Sequence, residues 1–310
     1  MKILFMGTPD FAVFSLKALC EAEHEIVGVV TQPDKPRGRG YTLTPPPVKV
    51  FAQERGIPVY QPNTLRGEEF ETLLGELAPD VIVVVAYGKI LPKNVLEFTR
   101  YGCINVHGSL LPEYRGAAPM QRAIIDGKKV TGITTMYMAE GLDTGDMLLK
   151  DEVTIEPDDN FEDIHDKLGE CGARLIVRTL EGVEAGSIVR IPQDDSLSTY
   201  AAKITKEDCL IDWTRGAGEI HDLIRGLSPI PLSFTHTPDG KLLKVIKAEL
   251  CRTDGNQGEA GEVTSIEDGI TVACGKGSIR LIKVIPEGKS RMDACDYVRG
   301  RKVSKGDVLK

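Results

Sequence analysis

The sequence predicts an α/β fold with a mostly parallel sheet, followed by a smaller all-β unit. Three observations carry this. Short apolar runs alternate with stretches of helical apolar spacing from Lys2 to Val183, the pattern of strand–helix–strand units with a parallel sheet and helices on both faces. One run, Val81–Val85, is continuously apolar, as a strand buried on both faces must be. After residue 206 the pattern changes to short β runs split by Pro-Asp-Gly and Glu-Asp-Gly, both hairpin formers.

The elements follow in order. "KILFM" is a strand, broken by Gly7-Thr8-Pro9-Asp10, and "FAVFSLKALCEA" is a helix with Pro9 near its first turn. "EIVGVVT" is the second strand, "VKVFAQERG" a helix, "IPVYQP" a short strand and "GEEFETLLGELA" an amphipathic helix. "DVIVVVAYG" and "GCINVH" are further strands, then comes a helix from Ala118 to Asp126. "TGITTMYM" and "DMLLKDEVTI" form a strand pair, and a long helix starts near Asn160, with His165 on its flank. Residues 187–206 read as a linker. Beyond them "AGEIHDLIRGL" is the one helical segment of a unit whose other runs suit a small five-stranded barrel. The expected domains are 1–186, the linker 187–206, and 207–310.

Composition narrows the function. The chain has 310 residues, net charge −8 and 41% hydrophobic residues, ample for a buried core. No run approaches the roughly 20 apolar residues of a membrane span. "MKILFMGTPD" is cut too early by Gly7, Pro9 and Asp10 to be a signal peptide. The seven cysteines are odd in number and scattered, with no Cys-x-x-Cys pair, which argues against a disulfide framework and a zinc site. Cys103 and His107 have no matching second ligand pair, so no metal is expected. These features predict a cytoplasmic protein. The acidity is uneven: residues 201–310 hold 18 Lys and Arg against 16 Asp and Glu, while the first 200 residues carry a net −10. A near-neutral second unit can gather cations on one face and meet a polyanion.

Parallel sheets bind ligands outside the carboxyl ends of their strands. The dinucleotide fingerprint Gly-x-Gly-x-x-Gly is absent after the first strand, where Pro9 stiffens the turn, so a nicotinamide enzyme is not expected. The loop "TQPDKPRGRGYTLTPPP", Thr31 to Pro47, sits on that rim. It is long for a compact domain, and it offers Lys35, Arg37 and Arg39 on a flexible arm suited to phosphate. "INVHGSLLPEYRGAAP" is the richest stretch. Asn105 and His107 are two apart on a strand and so point to one side. An amide can donate to an oxygen gaining negative charge, and an imidazole takes or gives a proton near neutral pH. Gly108 permits close backbone approach, and Pro112, Gly116 and Pro119 stiffen the exit loop. Asp143 and Asp146, in "AEGLDTGDML", are both candidates to orient the imidazole. Ser109 and Cys103 lack an activating arrangement, which points to direct transfer without a covalent intermediate.

The segments "INVHGSLLPEYRGAAP", "GLDTGDML", "FMGTPDFA" and "VVTQPDKPRGRG" together resemble the 10-formyltetrahydrofolate-dependent formyltransferase family, over effectively the full chain. The rim loop and the appended β unit are similar to the branch that acts on initiator methionyl-tRNA in translation initiation. The resemblance implies a Rossmann-like formyltransferase domain with a C-terminal OB-like β-barrel that binds tRNA. It implies that Asn105 hydrogen-bonds the formyl oxygen as a tetrahedral intermediate forms, that His107 assists proton transfer from the attacking amine, and that Asp143 orients or polarises His107. Ser109, Leu110, Leu111 and Pro112 would line the folate site, with the strand end Ala86, Tyr87, Gly88 and Ile90 walling the pterin. Lys35, Arg37, Arg39 and Lys206 would contact tRNA. The co-substrate would be 10-formyltetrahydrofolate, with no metal, and the enzyme a monomer. The family often has Pro-Trp-Pro where this chain has Pro229-Ile230-Pro231, and Ile230 is expected to fill an apolar site there. The rival readings are a hydrolase releasing formate from the same folate, an amino-sugar formyltransferase, and a non-catalytic RNA-binding protein.

Overall fold

The apolar run Lys2–Gly7 is strand β1, central in a seven-stranded sheet of the computed structural model, which describes residues 1–22, 24–37, 42–300 and 302–310. The chain divides into two units. One comprises Met1–Gly116, Val130–Thr154 and His165–Tyr200; the other Ala117–Lys129, Ile155–Ile164 and Ala201–Lys310.

In the first unit β1 is followed by α1 (Asp10–Glu21), β2 (Glu25–Val30), a hairpin of β3 (Lys35–Arg37) and β4 (Thr42–Thr44), α2 (Pro47–Glu54), β5 (Val59–Tyr60), α3 (Glu68–Leu77), β6 (Val81–Val85), α4 (Lys93–Leu96), β7 (Cys103–His107) and β8 (Arg115–Gly116). Then come α5 (Pro119–Ile125), which belongs to the second unit, β9 (Val130–Tyr137), β10 (Met147–Thr154) and α6 (Phe161–Glu184). The sheet order is β10-β9-β7-β6-β1-β2-β5. β1 pairs in parallel with β2 and β6, as do β6 with β7 and β2 with β5, while β7–β9 and β9–β10 are antiparallel. Strand order therefore reverses at β1, and the crevice outside the carboxyl ends of β1 and β6 is where such sheets take ligands.

Side-chain alternation assigns each face. Leu4, Met6, Ile82, Val84 and Cys103 pack with Phe70 and Leu74 of α3 and Val95 of α4. The opposite face lies under α6. Thr179 of α6 shares a hydroxyl hydrogen bond of 2.9 Å with Thr135 of β9. Gly172 lies so close to β7 that an added Cβ would come within 3.0 Å of Val106 Cγ1. On β7, Asn105 and His107 follow Cys103 at the two-residue period, so they face away from α6. The alternating elements read from the sequence are all present. Not foreseen were the paired β3 and β4 in the segment read as a flexible loop, the single turn α4, and β8, whose Arg115 N–H donates to Thr199 O at 2.9 Å. The segment read as a linker divides, residues 187–200 clustering with the first unit and 201–206 with the second.

After β11 (Tyr200–Ala201), which straddles the boundary, the second unit contains α7 (Ala217–Gly226), β12 (Ser233–His236), β13 (Leu242–Arg252), β14 (Val263–Ser265), β15 (Ile270–Ala273), β16 (Ser278–Pro286), β17 (Met292–Asp293) and α8 (Ala294–Arg299), a second helix where the sequence offered only one. Its antiparallel sheet runs β12-β13-β16-β15-β14, with β17 on β16, a curled half-barrel of the OB-like kind. Trp213, Ile220, Ile224, Val245, Ile279 and Leu281 share its core. The Trp213 indole N–H donates to Thr235 Oγ1 at 2.9 Å, as a buried indole requires. α7 also packs on α5, where an added Cβ on Gly226 would meet Ile125 at 2.7 Å. Ile230 is 67% exposed. It fills no apolar site, because its residue lies in a turn between α7 and β12 rather than under the sheet.

Candidate active site

The geometry around His107 is set by backbone groups. Strand β7 ends on His107, and the chain turns back through Gly108, which is buried. The loop is pinned by Thr134 of β9: its hydroxyl donates to Ser109 O at 2.7 Å and accepts from Leu111 N–H at 3.0 Å. Ser109 closes the turn itself, its hydroxyl donating to Glu113 O at 2.6 Å. Lys150 Nζ donates to Leu111 O. This brings Tyr114, with a left-handed φ of 60°, back over the imidazole, and His107 Nε2 lies 2.9 Å from Tyr114 O.

That contact fixes the tautomer. A carbonyl oxygen has no hydrogen to give, so Nε2 carries the proton and donates, and Nδ1 of the neutral ring is left with its lone pair. Nδ1 faces Asp143 Oδ2 at 3.7 Å, with the two side chains only 6% and 14% exposed. At that separation the carboxylate is no hydrogen-bond partner of the ring. It is a largely shielded carboxyl group beside the nitrogen that would receive a proton. Asp143 is held by the Gly116 N–H, which donates to Oδ2 at 2.8 Å. Of the two aspartates the sequence offered, Asp143 faces the ring. The group that orients the ring is the Tyr114 carbonyl.

Asn105 sits beside Val84 and Met136 in the sheet and is 8% exposed. Its amide has no hydrogen-bond partner among the described residues. The amide is not fully enclosed, so it stays open to a ligand, and it shares a strand face with His107. The structure thus brings Asn105, His107 and Asp143 together.

The expected folate-lining residues divide by exposure. Ser109 and Leu111 have 0% and 1% exposure: the serine hydroxyl is spent inside its own turn, and Leu111 packs against Met136 and Met147. Leu110 and Pro112 remain partly accessible. Beyond β6, Ala86 and Gly88 are exposed with φ of 46° and 83°, and Ile90 is 85% exposed. Tyr87 turns inward. It is 2% exposed, belongs to the core under α3, and burial pushes its phenol up to about 12. Its carbonyl ties the strand ends together, accepting from Thr8 Oγ1 at 3.0 Å and Gln32 Nε2 at 3.1 Å.

Lys35 is exposed on β3, and Arg37 ends that strand opposite Thr42. Arg39 lies outside the described residues. The base of this hairpin is anchored rather than loose. Lys49 Nζ donates to both Asp34 oxygens at 2.9 and 2.8 Å, and Gln61 Nε2 donates to Asp34 Oδ1 and Gln32 O, each at 2.8 Å. The Lys49 and Gln61 hydrogen bonds hold the Asp34 carboxyl below the ordinary carboxylate value. Lys206 is exposed at the start of a short helical turn in the second unit. The seven cysteines are unpaired, and no helix among the described residues is long and apolar enough to cross a membrane.

Comparison with known proteins agrees with the geometry. Residues 1–180 match the formyl transferase family and residues 203–302 the formyl transferase C-terminal domain. The chain is 48% identical over 309 residues to the methionyl-tRNA formyltransferase of Geotalea daltonii, covering 100% of this chain and 98% of that one. It is 49% identical over 310 residues to that of Pelotomaculum thermopropionicum, with 98% of the relative covered. Among solved structures, an N-formyltransferase from Helicobacter canadensis, in complex with folinic acid and dTDP-3-aminofucose, is similar with a TM-score of 0.67 at 18% identity, over 91% of this chain and 98% of that one. HypX from Aquifex aeolicus in complex with tetrahydrofolic acid gives a TM-score of 0.64 at 16% identity; this chain spans 50% of its length. At those identities the structures show the shared fold. With both of its regions matched, and with enzymes of this kind nearly half identical to it from end to end, the chain belongs to the formyl transferase family.

Proposed function

We propose that the protein transfers the formyl group of 10-formyltetrahydrofolate to the α-amino group of methionine on initiator methionyl-tRNA. The observation that carries this reading is the pairing of a partnerless Asn105 amide with a His107 ring whose Nδ1 is open and faces Asp143, in a chain 48% identical to enzymes named for that reaction.

Asn105 donates to the formyl oxygen as it gains negative charge, a donor already in place. His107 Nδ1 takes the proton from the attacking amine as the new C–N bond forms, and returns it to the departing nitrogen as the old C–N bond breaks. An α-amino group titrates near about 7.7–8.0 and esterification lowers it, so a neutral fraction is available at pH 7 without a strong base. Asp143 stabilises the imidazolium formed and receives no proton itself. Tyr114 O keeps the ring in the productive tautomer. Placement and charge stabilisation then supply most of the acceleration. The residues present fit a folate: Ala86, Gly88 and Ile90 offer open backbone and apolar surface at the strand crevice, and Leu110 and Pro112 the wall opposite. Bound there, the folate supplies a formyl group on a nitrogen leaving group. Contact with the tRNA backbone falls to Lys35, Arg37 and Arg39 of the Thr31–Pro47 segment, to Lys206, and to the second unit. The protein acts as a monomer in the cytoplasm.

The test uses 10-formyltetrahydrofolate labelled on the formyl carbon, with and without methionyl-tRNA. Label on the methionine, lost in Asn105→Ala and His107→Ala, is the expected result. Label released only as formate would make the protein a folate hydrolase. Label accepted by nucleotide-linked amino sugars instead would move it to the sugar branch.

A further inference from the structure

We infer that Gln193 is a positioning residue for Asp143: its side-chain amide clamps the loop that carries the carboxylate and holds it beside His107. The inference rests on the active-site reading given above.

The loop Gly141–Asp146 needs holding. Asp143 has a left-handed φ of 52°, a conformation that L residues other than Asn and Asp seldom adopt and that even Asp keeps only when its surroundings enforce it. Its flanking residues Glu140, Gly141, Leu142 and Thr144 are exposed, so packing does not enforce it. Gln193 does. Its Nε2 donates to the carbonyls of Asp143 and Gly145, both at 2.8 Å, using both hydrogens of one amide on the residues either side of Thr144. Gly145 must be glycine for this, because an added Cβ would run into Tyr137 O.

The clamp is itself fixed. Arg115 Nε donates to Gln193 Oε1 at 3.0 Å, which settles which end of the amide faces the loop. Arg115 Nη2 is paired at 2.7 Å with Asp195. The next residue after Arg115 is Gly116, whose N–H is the donor on Asp143 Oδ2. Gln193 therefore joins the two backbone stretches between which the Asp143 carboxylate is held. One stretch provides its peptide, the other its hydrogen-bond donor. Removing the amide frees the loop to relax from its left-handed turn, and Asp143 moves while His107, Asn105 and the folate-facing surface stay where they are.

The experiment is a double-mutant cycle on formyl transfer to methionyl-tRNA, in the full-length protein. Gln193→Glu keeps the shape of the side chain and loses both N–H donors; Gln193→Ala removes it. Each is made alone and on Asp143→Ala, with thermal unfolding recorded for all. A displacement of the carboxylate by about 1 Å is expected to lower kcat by about 10- to 100-fold, with the KM for 10-formyltetrahydrofolate changed by less than about 2-fold. On Asp143→Ala, the Gln193 substitutions are expected to cost less than about 2-fold more, since residues acting as one unit do not add. A multiplicative loss would overturn the inference, because Gln193 would then act independently of Asp143. So would an unchanged kcat, or an effect confined to a KM. If Gln193→Ala unfolds, Gln193→Glu decides by the same criteria. If Asp143→Ala is itself fully active, the active-site reading fails, and that outcome is distinct from a failure of the clamp.

Discussion

Asp143→Asn exchanges a carboxylate for an amide of the same size. It leaves an oxygen to accept from Gly116 N–H, so the loop geometry is retained and the charge alone is removed. The charge lies 3.7 Å from His107 Nδ1, and both side chains are largely shielded from solvent. At an effective dielectric of about 20, Coulomb attraction between an imidazolium and a carboxylate at that distance amounts to about 4.5 kcal/mol. With a neutral ring little of this is felt. In the transition state the ring acquires the proton of the attacking amine, and the attraction grows with the transferred charge. Half a charge developed corresponds to about 40-fold in rate and a full charge to about 2,000-fold. The expected result is a fall in kcat between those limits with both KM values changed by less than about 3-fold. The assay is single-turnover transfer of labelled formyl to methionyl-tRNA at saturating enzyme, so that tRNA affinity does not enter. The loss should persist at high salt, because buried charges are screened little. A loss below about 5-fold, or one expressed in KM, would refute the idea that Asp143 acts through its charge on an imidazolium.

Two further predictions concern stability. Thr134→Val leaves the buried Leu111 N–H and Ser109 carbonyl without their partner, and at about 1–3 kcal/mol per orphaned group the loss is about 3 kcal/mol; urea midpoints with an unchanged slope measure it, and a change under about 0.5 kcal/mol would contradict the pinning role. His165, hydrogen-bonded to Asp10 and Asp166, has its pKa raised above the ordinary 6.5, chiefly by Asp10, while Asp10 is lowered below 3.8, chiefly by His165. The histidine contribution is complete below 6.5 and is lost as pH rises through the raised value; the aspartate contribution is present above 3.8 and is lost as pH falls through the lowered one. Thermal unfolding of wild type and His165→Gln should therefore differ most between pH 3.8 and 6.5 and converge as pH rises through the raised histidine value, and a difference that grows as pH rises above 6.5 would contradict the assignment.

The legibility of this protein followed the physical signal each part leaves in a sequence. The parallel sheet was readable because Val81–Val85 has to be apolar on both faces, and Asn105 and His107 because polar residues at a two-residue period break a buried strand. Lys35 and Arg37 were readable as cations in an overlong loop, although the anchoring of that loop by Lys49, Asp34 and Gln61 was not. The orienting partner of His107 was invisible because it is the Tyr114 carbonyl, which every residue type possesses. Gln193 was invisible because an amide in an aperiodic segment, 50 residues from Asp143, carries no pattern. The inward turn of the Ser109 and Tyr87 side chains was not legible either, because residue type alone does not say which way a loop side chain points.

The second unit is assembled from three separated stretches of chain, and this has a consequence for synthesis. The α5 stretch leaves the ribosome about a hundred residues ahead of α7, the helix whose Gly226 it packs against. At about 5–20 residues per second that interval is roughly 5–20 s. During it Ile125, which packs beside Gly226 and Leu227 in the finished protein, has no α7 to lie on. A nascent chain stalled near residue 200 should thus present a sticky apolar helix to trigger-type chaperones, and release of that grip should coincide with the emergence of residues 217–226.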